Sequence, residues 1–198
     1  MKKHGQTTIG VVYYTMEMYD MERSLPVTLL ILSDSHGRPD RIQEAIRRVR
    51  PDGILFCGDG LRDLNTCELP CPLYAVSGNC DWLSAPIIVN GRALEPETEE
   101  LVTVEGVRIL LIHGHTYHVK SGLLSAVYRA MELDADLLVF GHTHLPLELH
   151  LLPEDEKGLL PVSKPLTLFN PGSLGDRNAS FGTVTIRNGQ LLCGHGTL

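Results

Sequence analysis

Seven side chains in this sequence could hold cations: Asp34, His36, Asp59, Asn79, His113, His142 and His144. They stand in five short runs, Asp34-Ser35-His36, Gly58-Asp59-Gly60, Gly78-Asn79, His113-Gly114-His115 and Gly141-His142-Thr143-His144. Carboxylate, imidazole and amide oxygen without thiolate suit Mn²⁺, Fe, Mg²⁺, Ni²⁺ or Zn²⁺ in open, six-coordinate geometry, whereas a structural zinc site would draw on cysteines. Seven ligands are too many for one ion alongside water. They divide sensibly between two ions that share one carboxylate. Any one of the runs is weak evidence, because Asp-x-His or Gly-Asp arises by chance in many chains; their recurrence carries the signal.

The recurrence has a structural cause, since each run follows an apolar segment that reads as a buried strand. Val27 to Leu32 leads into Asp34, Ile54 to Cys57 into Asp59, and Leu73 to Val76 into Asn79. Leu101 to Val104 and Val107 to Ile112, joined by Glu105-Gly106, read as a hairpin ending at His113, and Leu137 to Phe140 leads into His142. Open α/β sheets place ligand-binding loops at such strand ends. Arg41 to Arg50 carries Ile42, Ala45, Ile46 and Val49 at the spacing of one helical face and stops at Pro51; Leu123 to Leu133 is a second helix. Leu147 to Leu152, Leu166 to Phe169, Thr183 to Arg187 and Leu191 to Cys193 add strands, the last two joined by Asn188-Gly189, a strong hairpin signal. The expected fold class is α/β: a four-layer α-β-β-α sandwich, with two mixed β-sheets packed face to face and helices outside. Residues 1–24 have no clear period and read as a non-catalytic N-terminal extension to a domain spanning 25–198. Pro153 to Pro165 reads as a surface excursion.

A chain of 198 residues suits one ordinary domain, and a net charge of −7 opposes non-specific attraction to nucleic acid or acidic membrane. No apolar stretch reaches the roughly 20 residues that span a bilayer. Five cysteines, an odd number, and a start without a secretory pattern point to a reducing cytoplasm. Cys67 and Cys71 have no partners to complete a zinc site and read as structural. His4, His118, His150 and His195 read as surface or packing residues.

In order and spacing, the seven residues resemble the calcineurin-like metallophosphoesterase superfamily. Gly78-Asn79-Cys80-Asp81 and Asn170-Pro171-Gly172-Ser173 are similar to its small bacterial and archaeal phosphodiesterase branch, and the resemblance spans roughly Val27 to Cys193. It implies one ion on Asp34, His36, Asp59 and His144, and another on Asp59, Asn79, His113 and His142, with Asp59 bridging. Mn²⁺ is the ion expected first. On that arrangement two divalent ions bring four positive charges, the two aspartates remove two and a bridging hydroxide one, leaving about one for an anionic phosphoryl group. The implied reaction is hydrolysis of a small phosphodiester by that hydroxide, with phosphomonoester hydrolysis, by a protein or nucleotide phosphatase, as the enzymatic alternative. Asp59, Asn79, Cys80 and His115 are the candidate catalytic residues, and the resemblance implies a homo-oligomer, dimer or tetramer. Specificity is expected to rest on loops Pro86 to Glu97, His115 to Gly122 and Pro153 to Pro165. The same branch resembles a non-catalytic scaffold of membrane-trafficking coats whose site is degraded, a reading the complete ligand set disfavours.

One residue departs from the pattern of the larger superfamily members, which carry histidine at the position of Cys80, where it assists the leaving group or the phosphate. A thiol with an ordinary pKa near 8.5 is a poorer match to proton donation at pH 7. Cys80→His is therefore expected to raise the rate on poor leaving groups relative to good ones, measured with a series of substituted phenyl esters. If neither Cys80→His nor Cys80→Ala changed that ratio, the thiol would have no part in proton donation.

Overall fold

The computed structural model describes residues 25–81, 87–153, 160 and 162–198. The expected N-terminal extension lies outside the described residues, as does most of the central part of the Pro153 to Pro165 excursion.

Two five-stranded sheets form the body. The first contains β1 (Val27–Leu32), β2 (Gly53–Phe56), β3 (Leu73–Ala75), β11 (Ser180–Arg187) and β12 (Gln190–Thr197), in the order β12-β11-β1-β2-β3. The second contains β6 (Glu99–Val104), β7 (Val107–Ile112), β8 (Leu137–Val139), β9 (Leu147–Leu151) and β10 (Leu166–Asn170), in the order β6-β7-β8-β10-β9. Both are mixed: β1, β2 and β3 run parallel, as do β7, β8 and β10, while β11 pairs antiparallel with β1 and β12, and β6 and β9 form antiparallel edges of the second sheet. The expected α/β sandwich of two mixed sheets is therefore the fold.

Why the central strands read as unbroken apolar runs follows from where their two faces point. In β1, Leu29 and Ile31 face the second sheet, together with Leu55 of β2 and Ile109, Leu111 and Val139 across the interface. Leu30 and Leu32 face outward onto α1 (Pro39–Val49), meeting Ile42, Ala45 and Ile46. In β7 the outward residues are Leu110 and Ile112, which pack on Ala126, Val127 and Ala130 of α2 (Leu124–Glu132). With both faces covered, no alternation of polar and apolar residues survives. Among the described residues the outer layers are thin, with one α-helix on each sheet and a short 3₁₀ helix, Leu61–Thr66, beside α1.

Several strands run beyond their expected bounds, as β11 from Ser180 and β12 to Thr197 do, and two further features differ from the sequence reading. The helix α1 begins at Pro39 rather than Arg41, because proline suits the first helical turn, where its missing N–H costs nothing. The segment expected as a specificity loop, Pro86 to Glu97, contains a two-stranded hairpin, β4 (Ile87–Val89) and β5 (Arg92–Leu94), turned by Asn90-Gly91 with both residues at positive φ. That dipeptide is the same signal as Asn188-Gly189, which turns β11 into β12 as expected. Ile87 is buried in the α1-side core, and Asn65 Oδ1 accepts from the Ile88 N–H at 2.7 Å, so the hairpin is docked onto the body.

The parallel strands all end at one side of the sandwich. The carboxyl ends of β1, β2, β3, β7, β8 and β10 therefore deliver Asp34, Asp59, Asn79, His113, His142 and Asn170 to one place.

Candidate metal centre

The seven expected residues converge in two groups. In the first, the Asp34 Oδ1, His36 Nε2 and His144 Nε2 atoms cluster, with His144 Nε2 at 3.1 Å from Asp34 Oδ1 and 3.4 Å from His36 Nε2, and His36 Nε2 at 3.8 Å from that oxygen. In the second, His113 Nε2 lies 3.5 Å from Asp59 Oδ2, 3.1 Å from His142 Nδ1 and 3.2 Å from Asn79 Oδ1. His36 also lies within cluster distance of Asp59 and Cys80, so Asp59 stands between the two groups.

The far sides of two imidazoles decide what these contacts are. His113 Nδ1 donates to the carbonyl of Cys57 at 2.7 Å, and His144 Nδ1 donates to Asp176 at 3.1 Å. In their neutral forms both rings then present an unprotonated Nε2 to the cluster. There each meets carboxylate or amide oxygens and the nitrogen of a neighbouring imidazole at 3.1 to 3.5 Å. Asp34 Oδ1 is buried and has no hydrogen-bond partner, while its Oδ2 accepts from the Ser33 hydroxyl at 2.5 Å and the His142 N–H at 3.0 Å. A buried, unpaired carboxylate oxygen is costly. Divalent cations fit this donor set, because they supply the charge that the converging lone pairs lack.

The backbone is bent to make this convergence. Asp34, His36, Asp59, His142 and His144 all hold φ between 45° and 66°, the left-handed region that non-glycine residues rarely occupy. Such strain persists only where surrounding contacts over-determine it. One of those contacts is Asp81, whose carboxylate accepts the N–H groups of Asp59, Gly60, Leu61 and Gly78 at 2.7 to 2.9 Å. It ties the loop after β2 to the loop after β3. Gly78 is required there, since a Cβ would stand 2.1 Å from Asp59 Oδ1. On the other sheet Asn170 donates to the Gly141 carbonyl at 2.9 Å and to Thr143 Oγ1, which fixes the loop of His142 and His144.

Residues 27–189 match the calcineurin-like phosphoesterase superfamily domain. The chain belongs to this superfamily. It is 33% identical over 169 residues to the probable metallophosphoesterase YsnB of Bacillus subtilis (strain 168), covering 82% of this chain and 86% of that protein. Among solved structures, a predicted phosphoesterase of Streptococcus pneumoniae TIGR4 superimposes with a TM-score of 0.64 at 20% identity, covering 88% of this chain and 91% of the other. Vacuolar Protein Sorting 29 of Cryptosporidium parvum has the same fold, with a TM-score of 0.62 at 17% identity over 88% of this chain and 99% of its own. Superfamily membership brings metal-dependent phosphoester hydrolysis as the general chemistry.

Within this calcineurin-like site the two remaining candidates behave differently from one another. Cys80 is exposed, and its N–H donates to Asp59 Oδ1 at 2.7 Å. Desolvation first, then the hydrogen bond and charge of Asp59, push its thiol up to about 11, further from neutral pH than an ordinary thiol. His115 is half-buried, its ring 5.3 Å from that of His113, with a buried Nδ1 that has no partner. Burial, followed by the charge of His113, holds it below the usual imidazole value. His118 is exposed on the following turn, and His195 donates to the Asn170 carbonyl and stacks on Phe169, outside both clusters. The sequence reading missed the supporting shell: Asp81 stood inside a quoted motif without a role, and Asp176 was not singled out. Only three-dimensional contact shows what they hold.

Two outcomes follow. Asp81→Ala leaves four N–H groups without their acceptor and is expected to cost about 3 kcal/mol by urea denaturation in chelator, with Asp81→Asn costing less; a loss under about 0.5 kcal/mol would show that water replaces the clamp. Burial first, then the charge of His113, lowers His142 to about 4. The unfolded chain then binds a proton that the folded one refuses, so the metal-free fold loses stability as pH falls from about 6.5 to 4. Wild type should lose more across that window than His142→Gln, measured by thermal melts in chelator; parallel losses would contradict this origin.

Proposed function

We propose that the protein hydrolyses small phosphodiesters with two divalent cations held in this site. Asp34, His36, Asp59 and His144 would hold one, and Asp59, Asn79, His113 and His142 the other. The observation that carries the reading is the pair of donor clusters on either side of Asp59, in each of which ring nitrogens and carboxylate oxygens converge within 4.8 Å of one another. Bound cations would supply Lewis acidity toward phosphoryl oxygens and water acidic enough to act at neutral pH.

The chain's own residues then set the rest. Asp59 is held from behind by the Cys80 N–H, which orients its second oxygen toward His113. Asn79 and His36, both exposed, form the rim through which substrate would enter, and His115 is placed beside it to move a proton to or from the leaving group. The diester preference rests on charge. Asp34 and Asp59 reduce what two cations offer, and Asp176 adds another carboxylate beside His144, which disfavours the second negative charge of a monoester. Mn²⁺ suits the oxygen and imidazole donors, and a reducing cytoplasm and a homo-oligomer accompany the proposal; no helix among the described residues is long and apolar enough to cross a membrane. The likeness to Vacuolar Protein Sorting 29 raises a scaffold reading, but a scaffold has no need for a complete donor set.

After chelation, Mn²⁺ is expected to restore turnover of bis-p-nitrophenyl phosphate in excess of p-nitrophenyl phosphate, and Asp59→Asn to lower kcat/KM by at least about 100-fold, the scale of losing one preorganised electrostatic partner. Faster monoester turnover would overturn the diester preference. Metal binding with no turnover of either ester would favour the scaffold.

A further inference from the structure

The imidazoles of His113 and His144 are oriented by different kinds of partner. His113 gives its Nδ1 proton to a buried main-chain carbonyl, that of Cys57, which no side-chain substitution removes. His144 gives its Nδ1 proton to a side chain, with Asp176 Oδ1 and Oδ2 at 3.1 and 3.2 Å. Resting on the two-cation reading above, we propose that Asp176 is a positioning residue that fixes His144 with Nε2 unprotonated toward Asp34, and so sets the affinity of one cation position independently of the other.

Asp176 is not a carboxylate that happens to lie near. Its loop is built against the first cluster from two directions. The Ser173 hydroxyl donates to the Asp34 carbonyl at 3.0 Å and accepts the N–H groups of Gly175 and Asp176, while the Gly175 N–H also reaches the Asp34 carbonyl at 2.8 Å. From α1, Arg41 Nη1 donates to the carbonyls of Leu174 and Asp176. The main chain is thus pinned to the same loop that carries Asp34 and His36, and the carboxylate has one histidine within reach. Its side chain is 48% exposed, so it contributes little to the core. A half-exposed side-chain contact of this kind is worth little to folding. A carboxylate behind a metal-bound histidine, by contrast, changes metal affinity by about 10- to 100-fold, because it selects the tautomer and the ring orientation. The other cluster has no equivalent dependence, since Asp176 touches neither His113 nor His142 in any contact described. The two positions should therefore separate in affinity when this one side chain is cut.

The test uses the full chain stripped with chelator and titrated with Mn²⁺ by calorimetry. Asp176→Ala is expected to weaken one of two binding events by about 10- to 100-fold while leaving the other and the metal-free melting temperature as in wild type, with Asp176→Glu restoring part of the loss. Long-range ¹⁵N NMR of the metal-free protein, recorded at a pH where the ring is neutral, gives a readout free of metal: His144 should carry its proton on Nδ1 in wild type and shift toward the Nε2–H form in Asp176→Ala. Equal weakening of both events, or an unchanged tautomer in the variant, would overturn the proposal. A wild type that binds a single Mn²⁺ would instead remove the two-cation reading, and the tautomer would still decide what Asp176 does.

Discussion

Four imidazoles and two carboxylates converge in one small volume at the carboxyl ends of four strands, β1, β2, β7 and β8, with the ring nitrogens and carboxylate oxygens of each cluster within 4.8 Å of one another. His113 and His144 each donate from Nδ1 on the far side of the ring, and Asp34 keeps a buried oxygen with no hydrogen-bond partner. Everything at this end of the sandwich serves to hold that arrangement against its own repulsion. Five of the seven converging residues sit in left-handed backbone, Asp81 gathers four N–H groups to keep two loops together, and Gly78 removes the side chain that would block Asp59. Strain and unpaired polarity on this scale make sense where a bound cation repays them.

The sandwich explains why the donors can come from so many places in the chain. Each central strand is buried on both faces, so it ends abruptly when the sequence turns polar, and parallel strands end on the same side. A donor just after β1 and one just after β8 are 108 residues apart, yet the Asp34 carboxylate and the His142 N–H meet at 3.0 Å. The fold itself does not specify an activity, since a predicted phosphoesterase and a vacuolar protein sorting protein share it at similar likeness. In this chain seven candidate donors converge at the strand ends.

Much of this was legible in the primary structure because strand ends and polar runs coincide. Val27 to Leu32 could be read as a buried strand and Asp34 as its loop without knowing any partner. The hairpin at Asn90-Gly91 was equally legible, yet a segment read for specificity was not read for turn chemistry. Other features left no local trace. Leu29 and Leu30 look alike in the sequence but face different cores, since only the packing of two sheets distinguishes them. Asp81 and Asp176 act by contacts with residues up to 32 positions away, and a lone aspartate carries no sign of which histidine or N–H it will meet.

The claim that the rest depends on is that two cations sit on either side of Asp59. Crystals grown with Mn²⁺ and measured for anomalous scattering test it directly. The account predicts two peaks, one bounded by Asp34, His36 and His144 and the other by Asn79, His113 and His142, both within reach of the Asp59 carboxylate. A single peak, or two peaks that do not share Asp59, would contradict it.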